Sequence, residues 1–168
     1  MRPVTRLGFA ELPEDQQKAM LNEHIPYRLS LLRDVNRPPS IQPSQQTNQA
    51  FEAGVVSGRI LLSFLGIGCD RSSALKADQK HDAKDDKTDD VKAPDVGGQF
   101  VELGNLSQSD KAPLADFIRG AHKACAHFTI GSDHQLNLET YAKAGPIIFR
   151  LMAECFPNNA RSWPKWIS

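Results

Sequence analysis

The chain has 168 residues, and its 20 lysines and arginines balance 20 aspartates and glutamates, so the formal net charge is zero. The length predicts a single domain over residues 1–168, and 40% apolar with 7% aromatic residues is a globular composition. The zero balance argues against a broadly basic nucleic-acid-binding protein and against a polybasic protein of membrane surfaces. It leaves room for a local basic patch.

The three cysteines, Cys69, Cys125 and Cys155, form no CxxC pair. This pattern favours reduced thiols over a disulfide framework or a thiolate zinc site. The chain also lacks nucleotide-loop, GxSxG and HExxH motifs, so we expect neither a metal nor a cofactor. The most apolar stretch, residues 54–68, is too short to span a membrane, and the first twelve residues lack the apolar run of a signal peptide. The simplest expectation is a cytoplasmic protein without membrane contact.

The first predicted helix begins near residues 12–15, where a proline and two acidic residues suit a first turn. Two adjacent stripes follow helical spacing: Met20, His24, Tyr27 and Leu31 on one, and Leu21, Ile25, Arg28 and Leu32 on the other. Pro26 interrupts them, because a proline nitrogen cannot donate a hydrogen bond to the carbonyl of Asn22. We therefore expect a kink or a break there, and the end of the helix at residues 36–39.

The second predicted helix runs from near Pro43 to Leu65. Its buried stripe follows the spacing i, i+4, i+7, i+11 and i+14: Phe51, Val55, Gly58, Leu62 and Leu65. Gly54 and Gly58 each cost about 1 kcal/mol in a helix relative to alanine, and the compensation we expect is close approach of a neighbouring helix. Gly66 and Gly68 favour a helix C-cap over a phosphate-binding loop.

Arg59 lies in the middle of this otherwise apolar helix. One interpretation is a structural arginine whose stem packs on the core and whose charge pairs with Glu52 or with an acid of another helix. The other is a functional cation.

Residues 67–98 are highly charged, with eight aspartates and six basic residues, whereas the rest of the chain carries 14 basic against 12 acidic residues. Lysines repeat every four residues from Lys76, and aspartates repeat every four from Asp78. In a helix this spacing would stack like charges. We therefore predict a flexible, solvated and largely disordered connector, rather than a site for a metal or a basic partner.

Two further helices follow the connector. The third spans about residues 111–128 after capping residues at 107–110, and its predicted inward side chains are Leu114, Phe117, Ala121, Ala124 and Phe128. The fourth spans about residues 138–155 and contains Pro146. Its predicted core side chains are Tyr141, Ile148, Leu151, Met152 and Cys155. The tail, residues 157–168, carries two tryptophans and is predicted to dock on the bundle. The fold prediction is an all-α four-helix bundle with the charged connector between helices 2 and 3.

The densest group of polar residues lies on the third helix. Asp116, Lys123 and His127 share one face at 100° per residue, with Arg119 beside them. A cation that steadies an oxyanion and an imidazole that moves protons are what metal-free phosphodiester cleavage requires. The alternatives are that His127 caps the helix C-terminus and that His122 is an ordinary surface histidine.

Three segments of the chain resemble helices of small members of the HEPN-like all-α superfamily: residues 51–53 (FEA), 57–65 (SGRILLSFL) and 121–129 (AHKACAHFT). The resemblance implies a four-helix bundle that often forms a homodimer. In active members it implies RNA cleavage without metal, by an arginine and a histidine four to six residues apart at the dimer cleft.

Carried over to this chain, the resemblance assigns the catalytic roles to Arg119 and His127. Binding roles fall to Asp116, Lys123, His122 and Arg59, the last as a neighbour of His127 across the bundle. Seven residues separate Arg119 from His127. Two hypotheses therefore stay open: an RNA-directed module of the toxin or defence type, or a non-catalytic protein-interaction module with a degenerate motif. A small-molecule pocket inside the bundle is a third.

Overall fold

The computed structural model describes residues 12–35, 45–70, 72, 74–78, 90–126, 138–161 and 163. For residues 35, 45–48 and 123–126 the description covers the backbone and not the side chains. Four helices dominate these ranges, which confirms the prediction of an all-α fold. α1 is formed by Glu14–Ala19, Met20–His24 and Ile25–Val35; α2 is Gln45–Phe64, α3 is Gln108–Ala126 and α4 is Leu138–Cys155. α2 packs against the other three helices, most extensively against Ile25–Val35.

The inner face of α1 is the stripe predicted from Ile25 and Leu32, joined by Leu29, and all three are buried. The neighbouring stripe forms the border of the core instead. Its Tyr27 side chain is 57% exposed, and His24 is exposed as well. An amphipathic helix on the outside of a bundle buries only one such stripe, so the two predicted stripes have different environments.

Pro26 does not break α1, but it changes the helical turn that precedes it. Met20–His24 is a π-helical turn, in which the N–H of Ile25 donates to the carbonyl of Met20, five residues back. The wider turn accommodates the ring of Pro26, which in a regular α-helix would clash with the carbonyl of Asn22, four residues back. The predicted disruption at Pro26 is therefore a π-turn, and the helix continues through it.

The predicted buried stripe of α2 is confirmed at Val55, Leu62 and Leu65, which are fully buried, whereas Phe51 at its start is partly buried. Gly58 is the point of close approach: a Cβ atom built there would lie 2.7 Å from Cζ of Phe117 and 3.0 Å from Cδ1 of Leu32. Gly66 ends the helix with a φ of 78°, a left-handed conformation that glycine adopts without strain. The C-cap prediction for Gly66 is thus confirmed.

The connector differs from the prediction of one flexible segment over residues 67–98. Two short strands, β1 (Ile67–Cys69) and β2 (Leu75–Ala77), pair antiparallel with Ile67 opposite Ala77. Further along, Ala93–Val96 forms a 3₁₀ turn, and Ala93 and Val96 are buried in the core. Both ends of the segment are therefore part of the folded domain, because each supplies apolar side chains or backbone hydrogen bonds. Residues 79–89 lie outside the described residues.

The segment that leads to α3 is an extended arm. The N–H of Val101 donates to the carbonyl of Leu65 at 3.1 Å, and a 3₁₀ turn at Leu103–Asn105 follows. The Oγ of Ser107 then accepts a hydrogen bond from the N–H of Asp110 at the start of α3. This is the predicted capping arrangement, and it starts the helix three residues earlier than expected.

α3 and α4 complete the core. Leu114, Phe117 and Ala121 are buried on α3, and all five predicted core side chains of α4 are buried. Ala124 and Phe128 fall outside the described side chains. The Trp163 side chain is 5% exposed and its indole N–H donates to the carbonyl of Leu21 at 3.0 Å, so this part of the tail docks on α1 as predicted.

Candidate functional site

The predicted catalytic arginine is bound to its own helix. Nη2 of Arg119 donates to Oδ1 of Asp116 at 2.6 Å, and both side chains are about half exposed. Asp116 therefore neutralises the guanidinium. The Lys123 side chain and the whole of His127 lie outside the described residues, so the face predicted on α3 is tested only at Arg119 and Asp116.

A different predicted pair meets across two helices. Nη2 of Arg59 on α2 lies 3.4 Å from Nε2 of His122 on α3. A guanidinium only donates, so this contact is a hydrogen bond in the tautomer of His122 that leaves Nε2 unprotonated. The contact is long for a hydrogen bond and therefore weak. Both residues were candidates from the sequence, but the predicted partner of Arg59 was an acidic residue or His127.

Arg59 also lines a groove of about 570 Å³ between α1 and α2. From α1 the groove receives Met20, His24 and Arg28, and from α2 it receives Val56, Arg59 and Ile60. One end is closed by Asp90, Val91 and Lys92 of the connector. The volume falls within the range of small-ligand and peptide sites.

Of the four other described arginines, three form ion pairs with described carboxylates, and Arg161 of the tail forms none. Arg33 pairs with Asp34, Arg119 with Asp116, and Arg150 with both Asp110 and Glu154. Among the described residues, no carboxylate forms an ion pair with Arg28 or Arg59. The guanidinium of Arg28 lies 5.9 Å from the centre of the Tyr27 ring, which orients it without neutralising it. The groove therefore presents two arginines that form no ion pair among the described residues, and Asp90 is the acidic residue in its lining.

Lys92 contributes structure rather than free charge. Its side chain is 6% exposed, and Nζ donates to the carbonyl and the Oγ of Ser63, each at 2.9 Å. Oδ2 of Asp78 lies 3.6 Å from the same nitrogen. These contacts fix the end of the connector to α2 and β2, and they leave Arg28 and Arg59 as the cations that face the groove.

Apolar side chains form the rest of the groove. Val56 and Ile60 are 38% and 42% exposed, one helical turn apart on α2, and Arg59 lies beside them. Met20 faces them from the π-turn of α1. Exposed aliphatic side chains next to unmatched arginines are typical of a surface that binds a partner with both apolar and anionic groups.

The described residues offer neither a metal site nor an activated cysteine. No group of three or more histidines, cysteines or acids there could hold a metal ion. Burial raises the pKa of the Cys69 thiol, with the charge of Asp70 as a second cause, and burial raises the pKa of Cys155 to about 12. Neither cysteine is therefore an activated thiolate. No helix within these ranges is long and apolar enough to cross a membrane.

Sequence reasoning missed His24 and Arg28 as site residues. They lie four residues apart on one face of α1, and that spacing was the available signal. It was hidden because the two residues were assigned to two separate stripes of the helix. Only the π-turn and the position of α2 show that both line the same groove.

Comparison of the chain with protein-family models, with curated proteins and with solved structures found no match.

Proposed function

We propose that this protein is a non-catalytic interaction module, a helical bundle that binds a protein partner through the groove between α1 and α2. The observation that carries the proposal is the combination of two arginines without ion-pair partners among the described residues and the exposed side chains of Val56 and Ile60.

Site-specific crosslinking tests the proposal. A photoreactive phenylalanine analogue placed at position 60 should yield an adduct with another protein in the cells that make this chain. The matched control is the same analogue at Lys143, which is exposed on α4. Adducts at both positions in equal yield, or none at position 60, would contradict a specific protein site at the groove.

A second candidate is the RNA-directed HEPN-like module, and the contact between Arg59 and His122 favours it. Beside each other, the Arg59 guanidinium could stabilise a phosphate and the His122 imidazole could transfer a proton without metal. The HEPN-like family, the homodimer and the pair Arg119 and His127 belong to this candidate.

Incubation with structured RNA in the presence of EDTA tests the second candidate. Loss of cleavage in Arg59→Ala and His122→Ala would assign the activity to the contact between Arg59 and His122. Loss in Arg119→Ala and His127→Ala would assign it to the family motif. If the unaltered protein leaves the RNA intact under all conditions, the protein is not a ribonuclease.

A further inference from the structure

We infer that the occupant of the groove is an acidic amphipathic helix of a partner protein, with its apolar face on Val56 and Ile60 and its carboxylates on Arg28 and Arg59. This inference rests on the proposed interaction function and specifies the chemistry of the partner. It follows from charge, from the spacing of the apolar residues and from the small number of cations.

The two arginines of the groove lack carboxylate partners among the described residues, whereas three of the four other described arginines have one. Away from the groove, Arg33, Arg119 and Arg150 each have a carboxylate within 3.0 Å. Arg28 and Arg59 have none among the described residues, although the chain as a whole has as many acids as bases. Two unmatched cations on opposite walls of one groove are complementary to carboxylates supplied from outside.

The wall that α2 provides has the spacing of a helix-binding surface. Val56 and Ile60 lie at i and i+4, with Arg59 between them in sequence and beside them in space. A partner helix with apolar residues at i, i+3, i+4 and i+7 presents a stripe of the same period. Arg28 on α1 and Arg59 on α2 then stand on the two flanks of that stripe, where an amphipathic helix carries its charged residues.

The cation count disfavours RNA as the occupant. Binding to a nucleic-acid backbone usually depends on several phosphate contacts by lysine and arginine. Here Lys92 is occupied by Ser63 and Asp78, and Asp90 adds a negative charge at the end of the groove. Two arginines among aliphatic side chains suit a short run of carboxylates better than a chain of phosphates.

Binding of designed probes to the full chain tests the inference. Two fluorescein-labelled helical peptides of 18 residues (~27 Å long as helices) share one leucine stripe, and carry either four glutamates or four lysines on its flanks. We expect the acidic peptide to bind at least about tenfold more tightly than the basic one at physiological salt, and its affinity to fall as salt rises. Equal affinity, or tighter binding of the basic peptide, would overturn the inference.

The charge-reversal variant Arg28→Glu/Arg59→Glu provides the specific control. It should weaken the acidic peptide at least about tenfold and strengthen the basic peptide. The matched variant Lys143→Glu/Arg161→Glu makes the same change in net charge at exposed positions away from the groove, and it should leave both affinities unchanged. Equal effects of the two variants would show that net charge alone is responsible, which contradicts a site at the groove.

Two further arms separate the competing occupants. A single-stranded RNA of about 12 nucleotides that competes with the acidic peptide and binds more tightly would replace the inference by the RNA hypothesis. Self-association that is lost in Ile60→Glu would assign the groove to a second copy of the chain. If crosslinking at position 60 captures a protein but the acidic peptide shows no preference, the interaction function stands and only the inferred chemistry of the partner fails.

Discussion

Gly58 shows how one residue sets the distance between two helices. Its α-carbon faces the ring of Phe117 so closely that the space for a side chain is already filled. Glycine in a helix costs about 1 kcal/mol relative to alanine, so its place at the centre of α2 is explained by packing and not by helix propensity. Close contact here also fixes Arg59, the next residue, with respect to α3.

Gly58→Ala should destabilise the protein by about 1–3 kcal/mol, because the new methyl group has to displace Phe117 or Leu32. Urea denaturation gives the change in the free energy of unfolding. Gly104→Ala is the matched control, since no atom lies within 4 Å of the Cβ that it would add. A Gly58→Ala protein as stable as the Gly104→Ala protein would show that the helices move apart at no cost.

At the scale of elements, the π-turn of α1 and the tail depend on each other. In a regular α-helix the carbonyl of Leu21 would accept the N–H of Ile25, but that N–H donates to Met20 instead. The indole N–H of Trp163 takes the acceptor position at Leu21. A buried or half-buried carbonyl without a donor is costly, so the indole stabilises the π-turn that Pro26 requires.

Trp163→Phe keeps an aromatic ring beside Phe156 and removes the indole donor, so it should cost about 1–2 kcal/mol of stability. Pro26→Ala restores a backbone N–H and allows α1 to return to regular α-helical bonding, in which Ile25 can satisfy Leu21. The Trp163→Phe change should therefore cost less in a Pro26→Ala background. A double-mutant cycle measures this coupling, and strictly additive effects would disprove the link between turn and tail.

Some of these elements could be predicted from the sequence and others could not. α4 runs over the predicted residues because its apolar period is strong and its core side chains are large. The ends of the connector were mispredicted because its charged composition conceals the buried residues Ala93 and Val96. For the site, the sequence identified Arg59 and His122 as candidate residues, and helical spacing gave the position of each around its own helix. Which faces of the helices meet depends on the distance between the helices and on the rotation of each helix about its axis. Neither quantity can be read from a single sequence.

At the scale of the whole molecule, two buried weak acids link stability to pH. Burial raises the pKa of the Tyr141 phenol far above its usual range, with Asp34 as a second cause, and burial raises the pKa of Cys155 to about 12. The folded protein thus keeps protons that the unfolded chain releases above about pH 9 to 10. The unfolded state then binds fewer protons, so the free energy of unfolding falls as pH rises through this range.

Denaturation at about pH 8 and about pH 10.5 should therefore show a loss of stability at the higher pH. Tyr141→Phe should be less stable at about pH 8 by about 1 kcal/mol, because the phenol donates to the carbonyl of Leu32 at 2.7 Å, but its stability should fall less with pH. Tyr27→Phe, on the exposed border of α1, should retain the full dependence. If the free energy of unfolding falls equally with pH in the Tyr141→Phe and unaltered proteins, the phenol does not link stability to pH.

The hydrogen bond between Trp163 and Leu21 also has a consequence for the time course of biosynthesis. Its donor and acceptor are 142 positions apart. At ribosomal rates of roughly 5–20 residues per second, roughly 7–28 seconds pass between the synthesis of Leu21 and that of Trp163. During this interval the π-turn has an unsatisfied carbonyl, and the wall of the groove that carries Met20, His24 and Arg28 is incomplete. Partner binding through this wall is therefore expected only after residue 163 has left the ribosome.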